Sequence, residues 1–202
     1  MGTRENLQGD FTIVVRPERG YNNVGSRSAL QRVLRAMFDC RAVNITAARG
    51  ENFKGNIYMC DIDDIVDGVK EGATVFCTFD CQENLEDFLR FMIEGDFGLS
   101  LVVQGSCERV QESLDRVGLK AHTTNHSLGV WGKTEKLHPR EILEITTMCG
   151  HGILSPYLVH DVIERIKRGE IDRHEGSVIL SKPCLCGIFN TTRAEQLLAA
   201  LT

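Results

Sequence analysis

Three thiols and an imidazole stand in the last quarter of this chain, at spacings that suit sulfur chemistry. Cys149-Gly150-His151 comes first, and Cys184-Leu185-Cys186 follows it, with Gly187 directly after. Each cluster precedes a helical pattern, so the thiols are expected at helix N-termini. There, free backbone N–H groups and the positive end of the macrodipole favour thiolate over thiol. Thiolates gathered in this way bind soft metals or act as nucleophiles.

Cys149, Cys184 and Cys186 with His151 make a Cys3His set, which zinc takes as a tetrahedron. The same three thiolates also suit an iron–sulfur cluster, with one iron left for His151, another cysteine or an exchangeable ligand. The single residue between Cys184 and Cys186 is tighter than the gap of structural zinc knuckles. That spacing, with Pro183 fixing the ligand loop and ending the preceding helix, favours the cluster. Its expected role is redox or Lewis-acid chemistry. Set against both metals is plain burial of small side chains at tight corners, since free cysteine is often a core residue.

A metal-free cysteine enzyme is the alternative, with Cys149 as nucleophile or proton-transfer thiol and His151, two residues on, as its base. Met148-Cys149-Gly150-His151-Gly152 resembles the catalytic-cysteine segment of the proline racemase family, in which a thiol takes or gives the α-proton of an amino acid. The resemblance implies an acid–base role for Cys149, with Cys184 or Cys186 as its opposing partner. It covers five residues of 202. The family's two cysteine segments lie on separate lobes far apart in sequence, whereas both clusters here fall in one helical region. Pro183-Cys184 also continues as Leu185-Cys186-Gly187, not as the family's small-residue turn.

The other thiols are Cys40, Cys60, Cys77, Cys81 and Cys107. Cys77 falls inside a predicted strand and Cys40 beside a helix end, both core positions. Cys81 and Cys107 each follow a strand and precede a helix. In a parallel βαβ unit they would lie side by side at the carboxyl edge of the sheet, where such sheets bind ligands. Gly20 to Gly25 spaces its glycines as a P-loop does, but Ser26 stands where the lysine belongs, so an ordinary strand-to-helix turn is the better reading. Asp61, Asp63 and Asp64 cluster at a helix start, as the dipole favours. His122 and His126 would share a face on a strand.

The elements that must position these residues alternate. Strands are expected over 11–15, 42–46, 56–60 and 73–78, the middle two separated by polar Arg49-Gly50-Glu51-Asn52. Helices are expected over 27–38, with Ser26 as N-cap, and over 62–69. This β-α-β-β-α-β order is the ferredoxin-like arrangement. Further patterns follow as helices over 83–94 and 107–117 and strands over 99–103 and 120–124. The segments from residue 73 onward would also serve as half of a doubly wound sheet. The fold class is therefore α/β over 1–132, and the texture changes around Trp131 between Gly129 and Gly132. Four helical patterns over 139–147, 156–168, 172–181 and 192–201 make 133–202 a small all-helical subdomain. Pro139 and Pro156 suit first helical positions, and Asp172 and Glu175 have capping-box spacing.

Of 202 residues, 42% are hydrophobic and 25% charged, with a net charge of −5. An acidic chain without a basic stripe is not expected to bind nucleic acid. Membrane association is not expected either, because no apolar run approaches the length of a span. The polar first ten residues lack a signal-peptide core, which makes a cytoplasmic, reduced setting the expectation for eight cysteines. The α/β region is then expected to offer a surface for a protein partner or a cleft for a small molecule.

Overall fold

The β-branched run Phe11-Thr12-Ile13-Val14-Val15 forms the heart of a four-stranded sheet. In the computed structural model, which describes residues 2–48 and 55–202, the strands are β1 (Phe11–Arg16), β2 (Asn44–Ala47), β3 (Val75–Phe79) and β4 (Ser100–Gln104). They lie in the order β2-β3-β1-β4, and every neighbouring pair is antiparallel. β1 and β2 therefore point the same way with β3 between them, and β3 and β4 point the same way with β1 between them. The helices α1 (Arg27–Asp39) and α3 (Gln82–Gly95) make these two crossovers. Two interleaved split βαβ units of this kind are the ferredoxin-like arrangement. The doubly wound alternative needs parallel neighbours and is corrected.

The strands that fill this order differ in part from those expected. Residues 56–60 are turn and bend, not strand, because Asn56 is fully buried and spends its side chain on other backbone groups. The fourth strand is β4 instead. Residues 120–124 form no strand; Lys120, His122 and their neighbours have no apolar side to bury. The stretch Arg49-Gly50-Glu51-Asn52 lies outside the described residues.

Alternation places Ile13, Val15, Ile45, Val75 and Cys77 on one face of the sheet, all fully buried. Leu30, Val33, Leu34 and Met37 of α1 and Leu85, Phe88 and Leu89 of α3 cover that face. Each such side chain contributes about 1.5–3 kcal/mol of burial. Ser26 occupies the N-cap of α1 without capping it through its side chain. Its hydroxyl instead donates to the Asn23 carbonyl and accepts from the Gly72 N–H. The short α2 (Ile62–Gly68) follows β2, and its Asp63 pairs with Arg35 of α1.

After β4 come α4 (Cys107–Val117) and a run over 121–139 that is exposed throughout and carries only a 3-10 turn, Thr134–Lys136. The four expected helices then appear as α5 (Arg140–Thr146), α6 (Pro156–Lys167), α7 (Arg173–Ser181) and α8 (Thr191–Ala199). Pro139 sits at the N-cap of α5 and Pro156 at the first position of α6. The Asp172–Glu175 capping box is formed in full. Gly176 belongs in α7 because a Cβ there would stand 2.9 Å from Val162 Cγ1 and push α7 off α6. These helices enclose a second apolar cluster, from Ile142 to Leu198, which contains Cys149, Cys184 and Cys186.

The two clusters meet across polar groups. Asn44, Thr46 and Thr78 occupy the sheet face opposite the first core, yet none is exposed. The chain between α7 and α8 lies over them, and Asn44 Nδ2 donates to the Phe189 carbonyl. Tyr58 Oη bonds the Val43 carbonyl and Thr191 Oγ1, and Thr192 Oγ1 donates to Asp80. Arg193, 4% exposed, forms an ion pair with Asp10 at 2.8 Å.

Candidate functional site

Cys149 is delivered by the corner between α5 and α6, and Cys184 and Cys186 by the corner between α7 and α8. α5 ends at Thr146, and Gly152, at φ +66°, turns the chain so that its N–H donates to the Cys149 carbonyl. In the other corner the Cys184 N–H donates to the Ser181 carbonyl and the Gly187 N–H to the Cys184 carbonyl. Both corners follow helix C-termini, and α6 and α8 begin several residues later. The expectation that the thiols stand at helix N-termini is therefore corrected: the nearest dipole ends are negative. What faces these sulfurs is individual backbone N–H groups. Those of His151 and Ile153 donate to the Cys149 sulfur, and that of Ile188 to the Cys186 sulfur.

The two corners converge. Cys184 Sγ and Cys186 Sγ lie 3.7 Å apart, and both thiols hydrogen-bond the Cys149 sulfur. The three side chains are 1%, 0% and 8% exposed in the order Cys149, Cys184, Cys186. Hydrogen bonds from Cys184 and then Cys186 hold the Cys149 thiol far below the ordinary thiol range, against the opposing effect of burial. Cys184 is pushed far above that range, first by its bond to Cys149, then by its bond to Cys186 and by burial. Cys186 is raised chiefly by its bond to Cys149. The surrounding donors therefore favour the anion on Cys149 over either of its partners.

Two residues that sequence reasoning missed hold the second corner in place. Asn56 Nδ2 donates to the Ser181 carbonyl at 2.9 Å and to the Cys184 carbonyl at 2.8 Å, and its own carbonyl accepts from Cys60 Sγ at 3.6 Å. An asparagine next to Gly55 within an otherwise apolar run was the available signal. Gly187 adopts φ +60°, and a Cβ there would stand 2.9 Å from the backbone carbon of Ile45 and 3.0 Å from the Thr46 nitrogen. Only glycine lets the loop lie this close to β2.

His151 is exposed, and its backbone N–H is the group that reaches Cys149. Cys77 is buried in β3, Cys40, Cys60 and Cys81 are half-buried, and Cys107 is exposed. Cys81 and Cys107 lie at the ends of β3 and β4, at the same rim of the sheet, but β1 runs between those strands, so the side-by-side placement is corrected. His122 is exposed, while His126 Nδ1 lies 3.6 Å from Cys107 Sγ. His174 of α7 pairs with Glu195 of α8. The glycine loop before α1 is no phosphate cradle. The N–H groups of Glu18, Gly20 and Gly25 already donate to Asn22, Asn23 and Glu71.

Among the described residues, no three or more histidine, cysteine, aspartate or glutamate side chains are disposed as a ready ligand set for a metal ion. The sulfurs stand as hydrogen-bonding partners of one another. No helix among the described residues is long and apolar enough to cross a membrane. No protein-family model matches the chain, and neither a curated protein nor a solved structure matches it.

Proposed function

We propose that this is a metal-binding protein whose centre is made by Cys149, Cys184 and Cys186. The observation that carries the proposal is the meeting of three buried sulfurs from two separate corners. A tetrahedral ion with metal–sulfur bonds of about 2.3 Å spaces its sulfurs about 3.8 Å apart, and Cys184 and Cys186 stand 3.7 Å apart. That spacing favours a single thiophilic ion, zinc or ferrous iron. Binding displaces the protons that now bridge the trio, and the backbone N–H donors on Cys149 and Cys186 then play the supporting role that such groups play around bound metals. Three protein ligands leave a fourth position for an exogenous group, the pattern of a Lewis-acid site rather than a closed structural one.

An iron–sulfur cluster on the same three thiolates is the second reading, favoured by the close Cys184-Leu185-Cys186 pair and by the N–H groups directed at sulfur. Turnover by a metal-free Cys149 draws less support. At 1% exposure its sulfur offers an amino-acid substrate no approach, whereas an ion needs only to replace protons. The test is anaerobic purification followed by zinc, iron and sulfide analysis and a visible spectrum. About one zinc or iron per chain without sulfide supports the single ion. Iron with matching sulfide and a brown colour supports the cluster. Cys184→Ser is expected to abolish loading while Cys40→Ser retains it. A chain that arrives metal-free and takes up neither zinc nor ferrous iron overturns both readings.

A further inference from the structure

Cys107 and His126 meet beyond the end of β4, the edge strand farthest from β2. Cys107 is the first residue of α4, an eleven-residue helix. Its N-cap, Ser106, makes no side-chain capping bond, so the first-turn N–H groups face outward beside the thiol. At the far end of α4, Gly118 in the left-handed region reverses the chain. Residues 119–126, which form neither helix nor strand, return to the start of α4. This return brings His126 Nδ1 to 3.6 Å from Cys107 Sγ across nineteen residues. The charged residues that follow Cys107 in sequence are engaged elsewhere, Glu108 with Arg4 and Arg109 with Glu112.

We infer that Cys107 and His126 form a nucleophile–base pair that undergoes thiol–disulfide exchange with small disulfides. The geometry sets a nucleophile and a base in hydrogen-bonding reach, and both side chains are exposed. The Cys107 proton passes to His126 Nδ1, and the sulfur attacks one sulfur of the disulfide. A new S–S bond joins Cys107 to half of the reagent, the old S–S bond breaks, and its electron pair leaves on the other half. That departing thiolate takes the proton from His126. The small disulfide is itself the oxidant and is consumed, one half bound to Cys107 and the other released as thiol, so no further oxidant is needed. The site shares no residue with Cys149, Cys184 or Cys186, so it holds whether or not those sulfurs bind metal.

Incubating the full chain with glutathione disulfide at neutral pH, and following intact mass and peptide maps over time, tests this directly. Cys107 is expected to be the first and fastest cysteine modified. His126→Ala is expected to slow that step by about tenfold or more. His122→Ala, on the same exposed segment, leaves the rate unchanged, and thermal melts confirm that both variants are folded. Modification of Cys107 no faster than that of Cys81 or Cys60 overturns the proposal, as does a His126→Ala rate equal to that of the unaltered chain.

Discussion

The cysteine in the middle of β3 and the cysteine between α5 and α6 are both buried, yet they behave in opposite ways. Cys77 is fully buried in the first core, and burial first, with Cys40 adding to it, pushes its thiol well above the ordinary range. Cys149 is enclosed almost as completely, but Cys184, Cys186 and two backbone N–H groups donate to its sulfur and pull it the other way. Burial by itself therefore does not make a sulfur centre. It silences a thiol that stands alone and sharpens one that is supplied with donors. Burial governs Cys77 in the α/β region, whereas donors govern Cys149 in the helical corners.

Gly187→Ala is expected to disturb this contrast most. The added methyl would meet β2 backbone at a left-handed φ, a combination worth about 2–4 kcal/mol. Both the denaturant midpoint and metal uptake should fall together, and unchanged uptake in this variant would show that the loop's seat on β2 does not set the trio. Asn56→Ala comes next. It leaves the Ser181 and Cys184 carbonyls without their buried donor, at a cost of about 1–3 kcal/mol. The same two readouts should move less than for Gly187→Ala. The smallest effect belongs to the lone thiol. Because the folded value for Cys77 is raised, its contribution to stability is whole below the unfolded thiol value of about 8.5 and is lost as pH rises above it, by at most about 1.4 kcal/mol per unit. Cys77→Val should flatten the alkaline fall of the stability curve, and an identical slope in both proteins would remove Cys77 from the comparison.

The helices were legible because local rules govern them. Residues 107–117 carry a complete amphipathic pattern, and Asp172 and Glu175 cap α7 as their spacing implies. Which strands pair depends on partners far along the chain, so periodicity left parallel and antiparallel sheets equally open. The run at 56–60 looked like a strand because Ile57 and Tyr58 are apolar, but the neighbouring Asn56 commits the segment to holding a distant loop. Residue types and spacing singled out Cys149, Cys184 and Cys186, and the fold brings all three together. Their electrostatics were not legible, since the donors are main-chain N–H groups that carry no sequence signature. The pairing of Cys107 with His126 was hidden for a related reason, as it depends on a chain reversal at Gly118 and not on any motif.

Asparagine, threonine, tyrosine, aspartate and arginine side chains join the sulfur-bearing corner to the sheet, through Asn44, Asn56, Thr192, Tyr58, Asp10 and Arg193. A seam of this kind specifies orientation more than it supplies adhesion, because each bond across it can be exchanged for one to water at little net cost. The register between the halves is thus narrowly defined while their grip stays moderate, and the corner is aligned without being welded.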